Sequence, residues 1–351
     1  MQRLRFALIF SLGLVLTSFS GTASAQYKLT NLDSNQFRHA QMDDPLIVNA
    51  WGMARSPTSP WWISDTGSGW STIYDGAGVK NTGLVVAIPA AAGVPVGSPT
   101  GMVWNPSATG EFQGAPFIFD SLDGTITAWE PGVSRFSAQL IVDNSANKAS
   151  YTALAITNKP SGNFLYAVDN TNNRVEIYDG TFTLMGTFAA DPAIPSNFSA
   201  FGIRDINGVV YVSYADVNLG PGGFIDTFNE DGTLIGTFAQ GFGLNQPWGF
   251  AMAPADFGRF SNMLLISNNN DRGTIVAFNA QGQFVGTLRQ FGLPLIIDQL
   301  WAIDFGGGST ANGPTNTLYF TAGPHDNLAG TFGMIVAAGS NQNQQSGNIQ
   351  H

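Results

Sequence analysis

The chain has 351 residues, with 14 Lys or Arg against 24 Asp or Glu and a formal charge of −10. An acidic surface with no basic stripe repels phosphate, so nucleic acid and anionic membranes are not expected as partners. There is no Cys, which excludes disulfides and the lipid-modified lipoprotein route and leaves apolar burial as the source of stability.

The chain opens on a secretory signal pattern. Arg3 and Arg5 form a basic start, an apolar stretch follows from Phe6 to Leu16, and Ala23-Ser24-Ala25 supplies small residues for cleavage before Gln26. The stretch is too short for a good membrane span. Residues 1–25 are therefore expected to be removed, giving an exported protein, periplasmic or extracellular, with no membrane insertion after cleavage. Without Arg3 and Arg5 the balance becomes 12 basic against 24 acidic residues.

From there one pattern returns about every fifty residues. Its opening pairs are Trp51-Gly52, Thr100-Gly101, Leu154-Ala155, Phe201-Gly202, Trp248-Gly249 and Trp301-Ala302, spaced by 49, 54, 47, 47 and 53 residues. Each opening strand is followed by a β-prone apolar run: Trp61-Trp62-Ile63, Pro116-Phe117-Ile118-Phe119, Phe164-Leu165-Tyr166-Ala167-Val168, Val210-Tyr211-Val212-Ser213-Tyr214, Met263-Leu264-Leu265-Ile266 and Leu318-Tyr319-Phe320. An alternating third strand comes next, such as Thr125–Trp129 or Arg174–Tyr178, ending in a hairpin signal such as Asp75-Gly76, Asp179-Gly180 or Asp231-Gly232. A short fourth strand closes the unit. Four hairpin-linked strands repeated six times predict an all-β fold, a six-bladed β-propeller with four-stranded antiparallel blades.

The sixth unit lacks its own fourth strand, while Tyr27-Lys28-Leu29-Thr30-Asn31-Leu32 is an unassigned alternating segment near the start. It is expected to complete the last blade and remove an open seam. One propeller domain over 26–338 is thus predicted, followed by a polar, low-complexity tail over 339–351 expected to be disordered.

The units resemble NHL-type repeats, most clearly in Val168-Asp169-Asn170-Thr171-Asn172-Asn173-Arg174-Val175-Glu176-Ile177-Tyr178-Asp179. The stretch from about Tyr27 to Val336 also resembles an uncharacterised bacterial family of exported propellers, some members of which carry a PEP-CTERM sorting signal. The matching residues include Asp44-Pro45-Leu46, Tyr74-Asp75-Gly76, Asp123-Gly124-Thr125-Ile126, Pro247-Trp248-Gly249, Ala253-Pro254-Ala255-Asp256-Phe257-Gly258 and Tyr319-Phe320-Thr321-Ala322-Gly323-Pro324. The C-terminus has no Pro-Glu-Pro, apolar span and basic end, so sorting by that route is not implied. The resemblance implies the fold and export, and no activity.

Candidate chemistry gathers where second strands end: Asp65, Asp120, Asp169, Tyr214, Asn268 and Ala322. Four are Asp or Asn, and an oxygen-rich ring of this kind would suit Ca²⁺. The alternative is that each side chain caps its own turn. Asp271, in Asn268-Asn269-Asn270-Asp271, adds to the oxygen cluster without the spacing of an EF-hand loop. His39 and His325, each beside carboxylates in sequence, are either bases or, the favoured reading, surface-loop side chains. Trp51, Trp248 and Trp301 either line an axial pocket or fill the wedges between blades. Trp61, Trp62 and Trp70 would make a recognition patch if exposed. The places where units differ are Asp43 and Asp44 with His39, Trp70, the insertion from Val217 to Gly223, and His325.

The leading expectation is a non-enzymatic, monomeric binding or scaffold propeller that presents one face to a protein, peptide or glycan. No cofactor is expected, Ca²⁺ being the one the ring would suit. The rival is a Ca²⁺-dependent hydrolase or lyase, such as a lactonase, with ligands drawn from Asp169, Asn268 and Asp271.

Overall fold

In five of the six units the second apolar run is buried from end to end: Trp61–Asp65, Phe117–Ser121, Leu165–Asp169, Leu264–Asn268 and Thr317–Ala322. A strand loses water from both faces only when its sheet is sandwiched between others, so such runs read as continuous rather than alternating. The computed structural model describes residues 27–107 and 110–338, and these build a six-bladed β-propeller of four-stranded antiparallel blades. The expected signal segment, 1–25, and the expected tail, 339–351, lie outside the described residues.

Each blade runs outward in chain order. Blade one consists of Ala50–Ala54, Trp61–Asp65, Trp70–Tyr74 and Val86–Ala87. Blade two has Pro99–Trp104, Phe117–Ser121, Thr125–Trp129 and Gln139–Asp143. Blade three has Tyr151–Ile156, Leu165–Asp169, Arg174–Tyr178 and Leu184–Thr187. Blade four is built from Phe198–Ile206, Val209–Asp216, Phe224–Asn229 and Leu234–Gln240. Blade five follows with Pro247–Met252, Leu264–Asn268, Ile275–Phe278 and Phe284–Thr287.

Blade six is made from both ends of the described chain. Leu300–Phe305, Thr317–Ala322 and Thr331–Ala337 are its inner strands, and Tyr27–Ser34 pairs antiparallel with Thr331–Ala337 as the outer one. The N-terminal strand closes the ring as the sequence predicts. It is anchored on both sides: the buried Tyr27 hydroxyl donates to Phe257 O at 2.9 Å, and the Ser34 hydroxyl donates to Gly330 O at 2.7 Å.

Every innermost strand carries the same irregularity. Pairing with the second strand breaks just after the strand begins and resumes at Met53, Met102, Leu154, Gly202, Phe250 and Ile303, a β-bulge in phase with the blades. The bulge explains the opening pairs. A Cβ on Gly52 would lie 2.3 Å from Thr100 O, and one on Gly202 would lie 2.0 Å from Trp248 O, because neighbouring inner strands touch there. It also corrects the third unit, whose equivalent pair is Thr152-Ala153 rather than Leu154-Ala155. Thr replaces the aromatic and Ala the glycine in that unit, so the local signal is missing.

In blades five and six a hydroxyl on the second strand ties the bulge to the next blade. Ser267 Oγ accepts the Gly249 N–H and donates to Trp301 O at 2.6 Å. Thr321 Oγ1 accepts the Ala302 N–H and donates to Trp51 O, which crosses the seam from blade six to blade one.

Candidate functional site

Three blade-opening tryptophans meet on the axis. Trp51 stacks on Trp301, with ring centroids 3.5 Å apart and planes 17° apart, and Trp248 meets Trp301 edge-on at 5.9 Å. All three are buried. They therefore do not fill wedges between blades but plug the channel, since Trp248 also reaches from blade five to blade three, where its Nε1 donates to Thr152 O. Trp301 Nε1 donates to Asn49 Oδ1 at 3.0 Å. Trp51 Nε1 has no acceptor among the described residues.

Above the plug, on the face formed by the loops that enter innermost strands and leave second strands, lies a cleft of about 1100 Å³. Trp51, Phe201 and Trp301 form its floor, and Leu219, Phe242, Asn245, Asn269 and Asn327 stand among its walls. Leu219 and Phe242 are 82% and 78% exposed, and Leu328 beside Asn327 is 77% exposed. Phe242 is braced edge-on against Phe284 at 4.9 Å. Below the plug, the opposite mouth of the channel opens into a second cavity of about 260 Å³.

The acids singled out in the sequence do not share one ring. Asp65, Asp169 and Asn268 end their second strands, but the residue equivalent to them in blade two is Ser121, which pairs opposite Pro99. Asp120 is one position earlier and takes the place of Ser267 and Thr321, where its Oδ1 accepts the Thr100 hydroxyl at 2.8 Å. A one-residue step along a strand sends the side chain to the other face of the blade. Burial pushes the Asp120 carboxyl up to about 7.

The other candidate ligands are held by the protein itself. Asp65 Oδ2 accepts the Thr72 N–H and hydroxyl, and burial holds its carboxyl well above the usual carboxylate range. Asp169 accepts the backbone N–H of Ser150 and Asn172 and the Asn172 amide, and pairs with Arg174 at 3.3 Å. Asn268 bonds the backbone of Gly243 and Asn245 and the Thr274 hydroxyl. Asp271 accepts from Gln299. Among the described residues no three His, Asp or Glu side chains gather as a metal site.

The histidines lie at the surface, and the outer tryptophans do not meet the condition of exposure. His39 and His325 are both exposed; Asn31 lies 3.1 Å from His39 Nε2, and no carboxylate bonds either ring among the described residues. No exposed tryptophan patch forms. Trp61 is buried against Tyr319, Trp62 stacks on Phe117 at 4.2 Å, and Trp70 is half-buried in the strand pairing with Asp65. Exposure could not be read from Trp61-Trp62 because blade packing on both faces leaves no alternation in that strand. The insertion from Val217 to Gly223, flagged as a departure from the repeat, does reach the cleft through Leu219. Phe242 was missed; an aromatic between two glycines in a strand-linking loop was its only local sign.

No model of a known protein family matches the chain. Among solved structures, a Bacteroides thetaiotaomicron protein of unknown function superimposes with a TM-score of 0.55 at 12% identity, over 89% of this chain and 76% of the other. A virginiamycin B lyase from Staphylococcus aureus gives 0.54 at 12% identity, over 89% of this chain and 99% of the lyase. At those identities the likeness concerns the fold alone. In sequence, the uncharacterized protein R648 of Acanthamoeba polyphaga mimivirus is 30% identical over 344 residues, spanning 89% of this chain and 81% of the viral protein. The relative is viral, and it does not support the expected bacterial family with PEP-CTERM signals. The chain, itself a six-bladed propeller, belongs to the same family as protein R648.

Proposed function

We propose that the protein is an exported, non-enzymatic binding propeller that holds an extended peptide segment of a partner protein in the cleft above the tryptophan plug. The observation that carries this reading is the pair Leu219 and Phe242, at 82% and 78% exposure, standing over the buried Trp51 and Trp301 and the half-buried Phe201. Large apolar side chains left in water around a concave surface mark an interaction site. Leu328 extends the apolar rim on the blade-six side. The carboxamides of Asn245, Asn269 and Asn327 offer donors and acceptors to a peptide main chain. Two of the three exposed anchors, Leu219 and Leu328, are aliphatic and give a glycan no ring to stack on, which favours a peptide. Binding of this kind needs neither cofactor nor catalytic base, and the monomeric ring is sufficient for it.

A displayed random-peptide library panned on the intact protein tests the reading, with the Leu219→Ser/Phe242→Ser double variant as counter-target and a glycan array in parallel. The expected result is a peptide motif with an apolar anchor that is enriched on the natural protein and lost on the variant. Enrichment that ignores both substitutions, or binding confined to glycans, would contradict it.

A further inference from the structure

The cavity on the other side of the plug has a different chemistry. Met53, Met102, Leu154, Ile203, Phe250 and Ile303, one from each blade, line it, and Trp248 belongs to its inner end. Its volume of about 260 Å³ is near the lower end of the range for small-molecule sites. The mouth is polar and carries Arg55, Arg204, Asp205 and Asp304.

The charges at that mouth are unevenly paired. Arg204 of blade four reaches past blade five to Asp304 of blade six, Nη2 to Oδ2 at 2.9 Å. Asp205 lies beside Glu230, which is itself paired with Lys159. Arg55 of blade one has no carboxylate within ion-pair distance among the described residues, although it is only partly exposed. Its Nε and Nη2 donate to Phe305 O at 3.0 and 2.7 Å, Nη1 donates to Ser56 O, and the guanidinium lies over the Trp61 ring at 5.3 Å. Five N–H groups are available on a guanidinium, so donors remain. Burial also works against the charge and lowers the Arg55 pKa, with Asp304 opposing that effect. Removing a cation from water without a matching anion is costly, and a bound anion would offset the cost.

From the apolar walls and the unmatched Arg55 at the mouth, we infer that this cavity binds a small hydrophobic monocarboxylate, its carboxylate held by Arg55 and competing with Asp304 for Arg204. The apolar body fills the channel down to Trp248, and the carboxylate gives Arg55 the ion-pair partner it lacks among the described residues. The site is separated from the peptide cleft by the three indoles and does not depend on it.

Calorimetric titration of the intact protein with 3-phenylpropionate, and with 3-phenylpropan-1-ol as the uncharged counterpart, tests the inference. The acid is expected to bind the natural protein about tenfold or more tightly than the alcohol, the scale of a hydrogen bond to a charged group. Arg55→Gln should remove that preference while leaving alcohol binding in place. Arg204→Gln, whose partner Asp304 is at the rim, serves as a second variant should Arg55→Gln fail to fold, and should weaken the acid selectively. Equal binding of acid and alcohol to the natural protein, unchanged acid binding in a folded variant, or no binding of either compound would overturn the proposal.

Discussion

Trp51 and Trp301 lie face to face at the centre of the ring, centroids 3.5 Å apart, although 250 residues separate them in the chain. The contact joins blade one to blade six at the seam where the ends of the ring meet. Trp301 is the better anchored of the two, because its indole N–H reaches Asn49 and Asn327 while Trp248 and Phe201 pack on its edges.

Trp301→Ala should therefore be among the most damaging single changes, costing about 3–5 kcal/mol for a buried Trp with a residual cavity. Urea unfolding followed by circular dichroism measures it. Trp51→Phe, which removes an indole N–H that has no acceptor, should cost much less, and equal losses in the two variants would contradict the plug described above.

Closure by the N-terminal strand predicts a strong effect of trimming. A chain starting at Asn35 loses the pairing of Tyr27–Ser34 with Thr331–Ala337 and exposes the edge of blade six. Its thermal midpoint should fall sharply, and a midpoint equal to that of the longer chain would show that the strand contributes nothing. Tyr27→Phe removes the hydroxyl that donates to Phe257 O and accepts the Phe260 N–H, and should cost about 1–3 kcal/mol.

How much of this was legible in the sequence varies by feature. Blade number, strand order and the closing strand were readable because each rests on local chemistry repeated six times: Asp-Gly turns, apolar runs and an unpartnered alternating segment. The third blade was misregistered by two residues because Thr152-Ala153 replaces an aromatic and a glycine. Asp120 looked like a member of the Asp65 and Asp169 set because a one-residue phase shift is invisible without the strand pairing. The axial indole cluster and the Arg204–Asp304 pair join non-adjacent blades, and no local pattern announces contacts of that kind.

Stability should decrease as pH rises from about 5 to 8. Burial, with the neighbouring Asp44 adding to it, pushes the Asp33 carboxyl up to about 7; burial takes Asp120 to about 7 and Asp226 to about 6. A carboxyl with a raised folded pKa binds more protons folded than unfolded, so its contribution is full below the unfolded value near 3.8 and is lost as pH rises through the folded one. The exposed acids Asp143 and Asp179 are shifted down by hydrogen bonds and act only in a more acidic window. Thermal melts across pH 5–8 test this. Asp120→Asn should flatten part of the slope and melt higher than the natural protein at pH 8; an unchanged slope would count against the buried neutral carboxyl.

Chelation should leave the fold untouched. Asp65, Asp169 and Asn268 are bonded by protein donors, so EDTA is expected to leave the thermal midpoint unchanged. A drop that Ca²⁺ reverses would restore the metal-dependent reading.

The most direct test of the peptide-binding reading is hydrogen–deuterium exchange on the intact protein with and without a peptide enriched from the library. Protection is expected at 217–223, 241–246, 268–271 and 325–328, the loops around Leu219, Phe242 and Leu328. Protection instead at 55–60 and 104–107 on the opposite face, or along the outer strands, would contradict it.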